Sequence, residues 1–436
     1  MNYKNTKVLI LGLGLNQGGV GSAKFFAKAG ALVLVTDLKT KEQLKPSLDQ
    51  LKQFKNIKYH LGEHKNEDID WADLIIRNPK LTPNNPFLRY AKEKGKQVEM
   101  DMGIFLQFIK PSQIIGVTGT KGKSTTSSLI YEILKTAGKK VLFAGNIGKS
   151  VLDTVEYLKP NHLVVLELSS FQLESFDEHQ LSPKWAVITN IYPDHLDYYQ
   201  SMQDYIYSKK IIAKYQRKFD YLFLWKNDQV TISKDFLVGL KAKPIFFDKD
   251  DLPADFSPTI KGGHNLNNIA AALAVLKTLG VNQKKALEAV KQFKGVEFRL
   301  QLVKEVNGLK IYNDSAATNP VPAIEALKSF PNCILIAGGL DKGLDYKDFA
   351  SQIDKTAKLV FFIDGTATDQ IKKYLRDGKK VEGTYDNLER LLSDVKKHAK
   401  SKDIIVFAPG ATSFNFFQNE FDRGRKFNAA VEKVFG

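Results

Sequence analysis

The stretch Gly116-Val117-Thr118-Gly119-Thr120-Lys121-Gly122-Lys123-Ser124-Thr125 lies between an apolar run over residues 113–117 and a helical pattern over 124–137. In that helix Leu129, Ile130, Ile133 and Leu134 fall on one stripe, and Gly138 supplies the stop. A glycine-rich loop between a buried strand and a helix is the context a phosphate-binding loop requires. Backbone N–H groups at the helix start, aligned with its dipole, hold phosphate oxygens. Lys123 would then reach the terminal phosphates and the Ser124 hydroxyl would ligate Mg²⁺. The loop departs from the full G-x-x-x-x-G-K-[ST] pattern, because Val117 stands where the first glycine belongs.

Working outward, strand and helix signals alternate on both sides. Lys7–Leu11 reads as a strand, followed by a turn rich in glycine (Gly12, Gly14, Gly18, Gly19, Gly21) and a helix ending near Ala29. Further strands are expected at 31–36, running into Asp37, and at 72–76. This βαβ pattern implies a parallel sheet. Beyond the loop, strands are expected at 162–168 and 185–190, then an alanine-rich helix at 268–279. A last group comprises strands at 309–312, 333–337, Leu359–Ile363 and 404–408. Residues 222–262 show no regular pattern. With 436 residues, and roughly 150 per domain, the chain should hold about three domains, placed at 1–110, 111–297 and 298–436.

The hydrophobic fraction of 43% and charged fraction of 26% exclude a mainly disordered or collagen-like chain. Lys plus Arg number 64 and Asp plus Glu 48, so the net charge is 64 − 48 = +16. Such a balance points to anionic partners: nucleic acid, acidic membrane or phosphorylated small molecules. No apolar stretch approaches the ~18 residues of a membrane span. The early run Val8-Leu9-Ile10-Leu11 is broken by Gly12 and Gly14, unlike a signal peptide. One cysteine, Cys333, excludes an intrachain disulfide. It opens an apolar run and reads as a small buried hydrophobe.

Several polar clusters sit where strands end. Glu167 interrupts the apolar run Leu163-Val164-Val165-Leu166, and a buried carboxylate needs a cation or hydrogen bonds to compensate it. Metal bound to ATP at the carboxyl edge of a sheet would serve; a solvated edge glutamate is the bland reading. Thr189-Asn190-Ile191-Tyr192-Pro193-Asp194-His195-Leu196-Asp197 follows the next strand, and Asp and His there can bind metal or phosphate. Gly263-His264-Asn265-Leu266-Asn267-Asn268, Arg299 and Asn313-Asp314-Ser315-Ala316-Ala317-Thr318-Asn319 complete the set. Taken singly, each reads equally as turn chemistry.

In order along the chain, the phosphate loop, Glu-Leu-Ser-Ser-Phe-Gln-Leu-Glu, Asp-His-Leu-Asp, His-Asn-x-x-Asn and Asn-Asp-Ser-x-Ala-Thr resemble the Mur ligase family of ATP-dependent amide-forming enzymes. The resemblance covers nearly the whole chain. It implies an α/β protein of three domains: an N-terminal Rossmann-like domain for a UDP-sugar, a central P-loop-type ATPase with a parallel sheet, and a C-terminal Rossmann-like domain for the amino acid. It also implies D-glutamate addition to UDP-N-acetylmuramoyl-L-alanine through an acyl phosphate. That reaction belongs to peptidoglycan synthesis in the cytoplasm, with consequences for cell shape, cell division and the cell cycle. The implied enzyme is a monomer using ATP and two Mg²⁺ ions, with Mn²⁺ as a substitute.

Carried over residue by residue, Gly119, Thr120, Lys121, Gly122, Lys123, Ser124 and Thr125 would bind ATP, together with Asn268, Arg299 and Asp314. Ser124 and Glu167 would hold one metal ion; His195 and Lys209 would hold the second. Lys209 closes the run Tyr205-Ile206-Tyr207-Ser208-Lys209, where the family carries a carbamylated lysine, although Lys210 is adjacent. Leu15, Asn16 and Asp37 would contact the UDP-sugar, and Asn146, Ser169 and Gln172 its muramoyl-alanine end. Lys342 and Ser413 suit the side-chain carboxylate of D-glutamate. The sequence departs from the family pattern at Ala316, at Asn415, in the register of Glu420 and Phe421, in the glycine-rich opening loop and at Asn78-Pro79-Lys80.

Three rival readings remain. A dinucleotide oxidoreductase would explain Gly12, Gly14 and Asp37, but Gln17 breaks the glycine pattern. A nucleic-acid-binding protein would explain +16, but the lysines are scattered and no binding module appears. Folylpolyglutamate synthase also adds glutamate, but the Asn-Asp-Ser-x-Ala-Thr segment and the extra N-terminal unit speak against it.

Overall fold

The computed structural model describes residues 3–436 apart from Asn16, Lys80, Pro83, Lys149, Leu196, Asp197, Lys261, Gly262, Asp377, Phe414 and Asn415. The expectations attached to Asn16, Lys80, Asp197 and Asn415 therefore lie outside the described residues. The first sheet contains β1 (Lys7–Leu11), β2 (Leu32–Asp37), β3 (Ile57–Leu61), β4 (Leu74–Arg77) and β5 (Gln97–Glu99). Its order is β3-β2-β1-β4-β5, and every pairing is parallel. The second contains β6 (Ile114–Thr118), β7 (Val141–Gly145), β8 (Leu163–Glu167), β9 (Trp185–Ile188), β10 (Tyr221–Trp225) and β11 (Pro244–Phe247). Its order is β11-β10-β9-β6-β8-β7, again all parallel. The irregular stretch 222–262 thus supplies two strands.

β6 lies in the middle of its sheet with all five residues buried. Helices cover both faces of a parallel sheet, so such a strand must be apolar throughout. One apolar core runs from Val8 and Phe26 through Phe105 and Ile114 to Leu166 and Ile212, joining the first two sheets. The chain accordingly divides into two compact units: Met1–Pro258 with Gly263–Phe293, and Thr259–Gly262 with Lys294–Gly436.

The second unit holds β12 (Gln301–Val306), β13 (Leu309–Asn313), β14 (Ile334–Gly338), β15 (Leu359–Ile363), β16 (Val381–Tyr385) and β17 (Ile404–Phe407). The order is β12-β13-β17-β14-β15-β16, parallel except for the β12–β13 pair. Three sheets of this kind make the chain a three-domain α/β protein. Cys333 is fully buried beside β14, and burial pushes its thiol up to about 12, so it is an inert hydrophobe.

The helix Glu420–Phe435 carries Arg423, a fully buried cation. Its guanidinium donates to the Ser315 hydroxyl at 3.0 Å, the Ser315 carbonyl at 2.8 Å and the Ala411 carbonyl at 2.9 Å. Burial lowers its pKa to about 9, with Glu420 and Asp314 pulling the other way. Arg423→Met would strand three buried acceptors. The expected loss is about 3 kcal/mol, read as a lower urea midpoint; an unmoved midpoint would show that water replaces the guanidinium without cost.

Candidate active site

β6 sits between β8 and β9, and the chain order reverses beside it, so loops leaving these strands share one rim. The loop after β6 turns through Gly119 at φ +147° and Gly122 at φ +88° into the helix Lys123–Thr136. A side chain at Gly119 would overlap the Thr189 hydroxyl, and one at Gly122 the Asn268 amide. The loop is clamped from the end of β9. Lys121 N–H donates to Asn190 Oδ1, Asn190 Nδ2 donates to the Lys121 carbonyl, and Thr120 N–H donates to the Asn190 carbonyl, all at 2.9 Å. Thr120 Oγ1 lies 3.1 Å from the Tyr205 hydroxyl. Asn268, on the helix Gly263–Thr278, lies 3.4 Å from Thr126 Oγ1. That helix begins five residues before the expected start at 268, so its polar residues Asn265 and Asn268 lie within it. Asn268 Nδ2 donates to Asn265 Oδ1 at 3.1 Å.

Lys123, the first residue of its helix, donates from Nζ to the Gly119 and Thr120 carbonyls at 2.9 and 3.0 Å. Lys209, on the helix Met202–Lys214, reaches the same Gly119 carbonyl at 3.0 Å and is 1% exposed. Burial first, then the Lys123 charge, holds its ammonium well below the ordinary lysine range, while Asp194 pulls it back. Lys210 points elsewhere, donating to the Val238 carbonyl at 2.8 Å. Of the two adjacent lysines, Lys209 faces the loop.

Glu167 ends β8, is buried, and accepts from Asn146 Nδ2 at 3.3 Å. The Asn146 N–H donates to the Glu167 carbonyl at 2.8 Å, which places Asn146 on the same rim. Ser169 and Gln172 close a local turn, with the Ser169 hydroxyl donating to Gln172 Oε1 at 3.2 Å. His195 adopts φ +55°, and its ring lies 5.1 Å from that of Phe171 and 6.1 Å from that of Tyr205. Ser124 and Thr125 occupy the first turn of the loop's helix.

In the first sheet Asp37 holds the glycine-rich loop, accepting from Gly14 N–H at 2.8 Å and Lys39 N–H at 2.9 Å. Leu15 is half-buried in the same loop. In the second unit Asp314 follows β13 and accepts from Leu300 N–H at 3.1 Å. Burial pushes its carboxyl up to about 7, against the pull of Arg299 and Arg423. Lys342 is exposed after β14, whereas Ser413 is buried after β17. Paired Leu340 and Thr412 backbones, at 3.1 and 3.2 Å, tie these two loops together. The sequence reading missed Arg423 and Arg77, which no motif marked; Glu174 closes the Glu-Leu-Ser-Ser-Phe-Gln-Leu-Glu run, but nothing in that run pointed to Arg77 as its partner.

A phosphate loop clamped against a neighbouring strand, with a buried carboxylate and a buried lysine on its rim, belongs to an enzyme that works on a nucleoside triphosphate. Residues 6–99 match the profile "Mur ligase MurD-like, N-terminal domain", 117–257 "Mur ligase middle domain", and 298–410 "Mur ligase, glutamate ligase domain". A UDP-N-acetylmuramoylalanine–D-glutamate ligase of Roseiflexus sp. is 37% identical, covering 99% of both chains. One of the same name from Borreliella afzelii is 36% identical over 99% of this chain and 98% of its own. Among solved structures, the UDP-N-acetylmuramate–alanine ligase of Thermotoga maritima has the same fold, with a TM-score of 0.63 at 19% identity over 98% of this chain and all of that one. The chain belongs to the Mur ligase family.

Proposed function

We propose that this chain joins D-glutamate to UDP-N-acetylmuramoyl-L-alanine with hydrolysis of ATP to ADP and phosphate, a step in building peptidoglycan precursors. The observation that carries the reading is full-length similarity to ligases of that name, in a chain that also has the phosphate loop such chemistry requires. The acceptor carboxylate attacks the γ-phosphorus and ADP leaves. The amine of D-glutamate then attacks the acyl carbon, the C–O bond to phosphate breaks, and the amine loses a proton.

The backbone amides of Gly119–Thr125 would cradle the phosphates, and Lys123 would meet the charge that develops on the transferred group. Asn268, Arg299 and Asp314 would hold the rest of the nucleotide. Leu15, Asn16 and Asp37 would take the uridine end of the acceptor; Asn146, Ser169 and Gln172 would take its carboxyl end. Lys342 and Ser413 would select the amino acid. Among the described residues no three acidic, histidine or cysteine side chains form a ready-made metal cluster. The donors instead suit an ion held by few protein oxygens plus phosphate and water, as Mg²⁺ prefers. Ser124 and the buried Glu167 fit that role. His195 and Lys209 fit a second ion only when Lys209 carries a carbamate, since an ammonium repels a cation. Bound Mg²⁺ would neutralise phosphate charge as it moves. Among the described residues no helix is long and apolar enough to cross a membrane.

Phosphate release decides the matter. It should require UDP-N-acetylmuramoyl-L-alanine, ATP, Mg²⁺ and D-glutamate together, and should fail with L-glutamate or diaminopimelate in place of D-glutamate. No release with all four present overturns the reading.

A further inference from the structure

Arg77 ends β4 in the first sheet, yet its charge is used by the second. Its side chain is only 7% exposed, and Nη2 donates to Glu174 Oε2 at 2.6 Å. Nη1 donates to the Leu81 carbonyl at 3.3 Å. Glu174 lies on the helix Leu173–Glu178, just after the Ser169–Gln172 turn. Its other oxygen, Oε1, accepts from the Tyr198 hydroxyl at 3.0 Å. Tyr198 N–H donates to the His195 carbonyl at 3.0 Å, and the Tyr198 ring lies 4.5 Å from that of Phe171, which also packs on His195.

His195 is held at φ +55°, a conformation that a non-glycine residue keeps only when its surroundings impose it. At the other end, Arg77 pairs in register with Leu11, and Asn78 N–H donates to the Leu11 carbonyl at 3.2 Å, where the glycine-rich loop begins. We infer that Arg77 is a positioning residue that acts through Glu174 and Tyr198 to set the backbone of His195, linking the rim of the first sheet to the phosphate-loop rim. The inference rests on the proposed function only in assigning His195 to a metal ion.

The test uses the full chain with Tyr198→Phe, Arg77→Ala and the double variant. Two quantities are read: hydrogen exchange of the segment around His195 without ligands, and Mn²⁺ affinity in the presence of ATP by electron paramagnetic resonance. Tyr198→Phe loses one hydroxyl and keeps its ring packing, so its melting temperature should match the parent's. Each single variant should speed exchange there and weaken Mn²⁺ about tenfold, the usual scale for removing an outer partner of a metal ligand. The double variant should be no worse than either, since both cut one chain of contacts. Arg77→Lys, which keeps the charge, should restore part of the loss. Parental exchange and Mn²⁺ affinity in Tyr198→Phe, with Arg77→Ala lowering only the melting temperature, would make the ion pair a mere tie between sheets. Additive losses in the double variant would also overturn the inference. If the parent releases no phosphate with D-glutamate, the proposed function fails, while exchange in the unliganded chain still decides this inference.

Discussion

Lys123→Ala should lower D-glutamate-dependent phosphate release by about a thousandfold, the upper range for removing one preorganised charge from a transition state. The melting curve should be nearly unchanged. The two halves of this expectation have separate causes. Transfer of a phosphoryl group spreads negative charge over its oxygens, and the protein contributes chiefly position and charge. Lys123 sits at the first position of its helix, with Nζ held at 2.9 and 3.0 Å by the Gly119 and Thr120 carbonyls. Its ammonium is therefore placed before any substrate arrives. Neither contact is deeply buried, and its loss removes a charge that opposes Lys209. Removing Lys123 relieves that repulsion, which offsets part of the lost hydrogen bonding. Turnover close to the parent's would remove Lys123 from the chemistry; a collapsed melting curve would make it a structural residue of the loop.

How much of this was legible beforehand depends on where a residue's partners lie. Interior β10 aside, whose buried Leu222, Phe223 and Leu224 fall in the stretch that showed no pattern, most strands buried on both faces announce themselves as apolar runs, so Leu359–Ile363 is placed to the residue and β6 to within one. Edge strands do not. β16 reads Val381-Glu382-Gly383-Thr384-Tyr385, with exposed residues alternating along it, and β3 is Ile57-Lys58-Tyr59-His60-Leu61. Their one-sided burial leaves too few apolar positions for a pattern. β11 opens on Pro244, a residue that argues against a strand except at an edge, which is where it lies. In the site, the phosphate loop was legible because its partners are its own neighbours. The choice between Lys209 and Lys210 was not, because it turns on which helix face packs on Gly119. Arg77 and Glu174 are 97 residues apart, and Arg423 and Ser315 are 108 apart. Contacts of that span leave no local periodicity to read.

Lys209 yields the second large effect. Stripping carbon dioxide from the buffer should abolish most phosphate release, and adding bicarbonate should restore it. A lysine 1% exposed, with one backbone acceptor at 3.0 Å and the Tyr205 ring 4.7 Å from its Nζ, is held well below the ordinary lysine range by burial and by the Lys123 charge, which outweigh the pull of Asp194. Its lowered pKa raises the share of neutral amine near neutrality, and the neutral amine is the form that attacks carbon dioxide. The amine forms an N–C bond, releases one proton and becomes a carbamate anion. Repulsion from Lys123 would then turn into attraction, and the site would acquire an oxygen donor for a metal ion. The sign of the pH dependence follows. Acid supplies two protons, one that expels carbon dioxide to leave the neutral amine and one that turns this amine into the unfavourable ammonium, so activity should fall as pH drops through the carbamate's range. Higher bicarbonate should move that acid limb to lower pH. Lys209→Ala should lose about a thousandfold in turnover, as for loss of a preorganised charge at the reacting centre. Acetate, supplying a carboxylate to the vacated space, should recover part of that loss. Carbon-13 bicarbonate should give a carbamate resonance in the parent that Lys209→Ala lacks. Indifference to carbon dioxide, together with no such resonance, would leave Lys209 an ammonium and exclude it from metal binding.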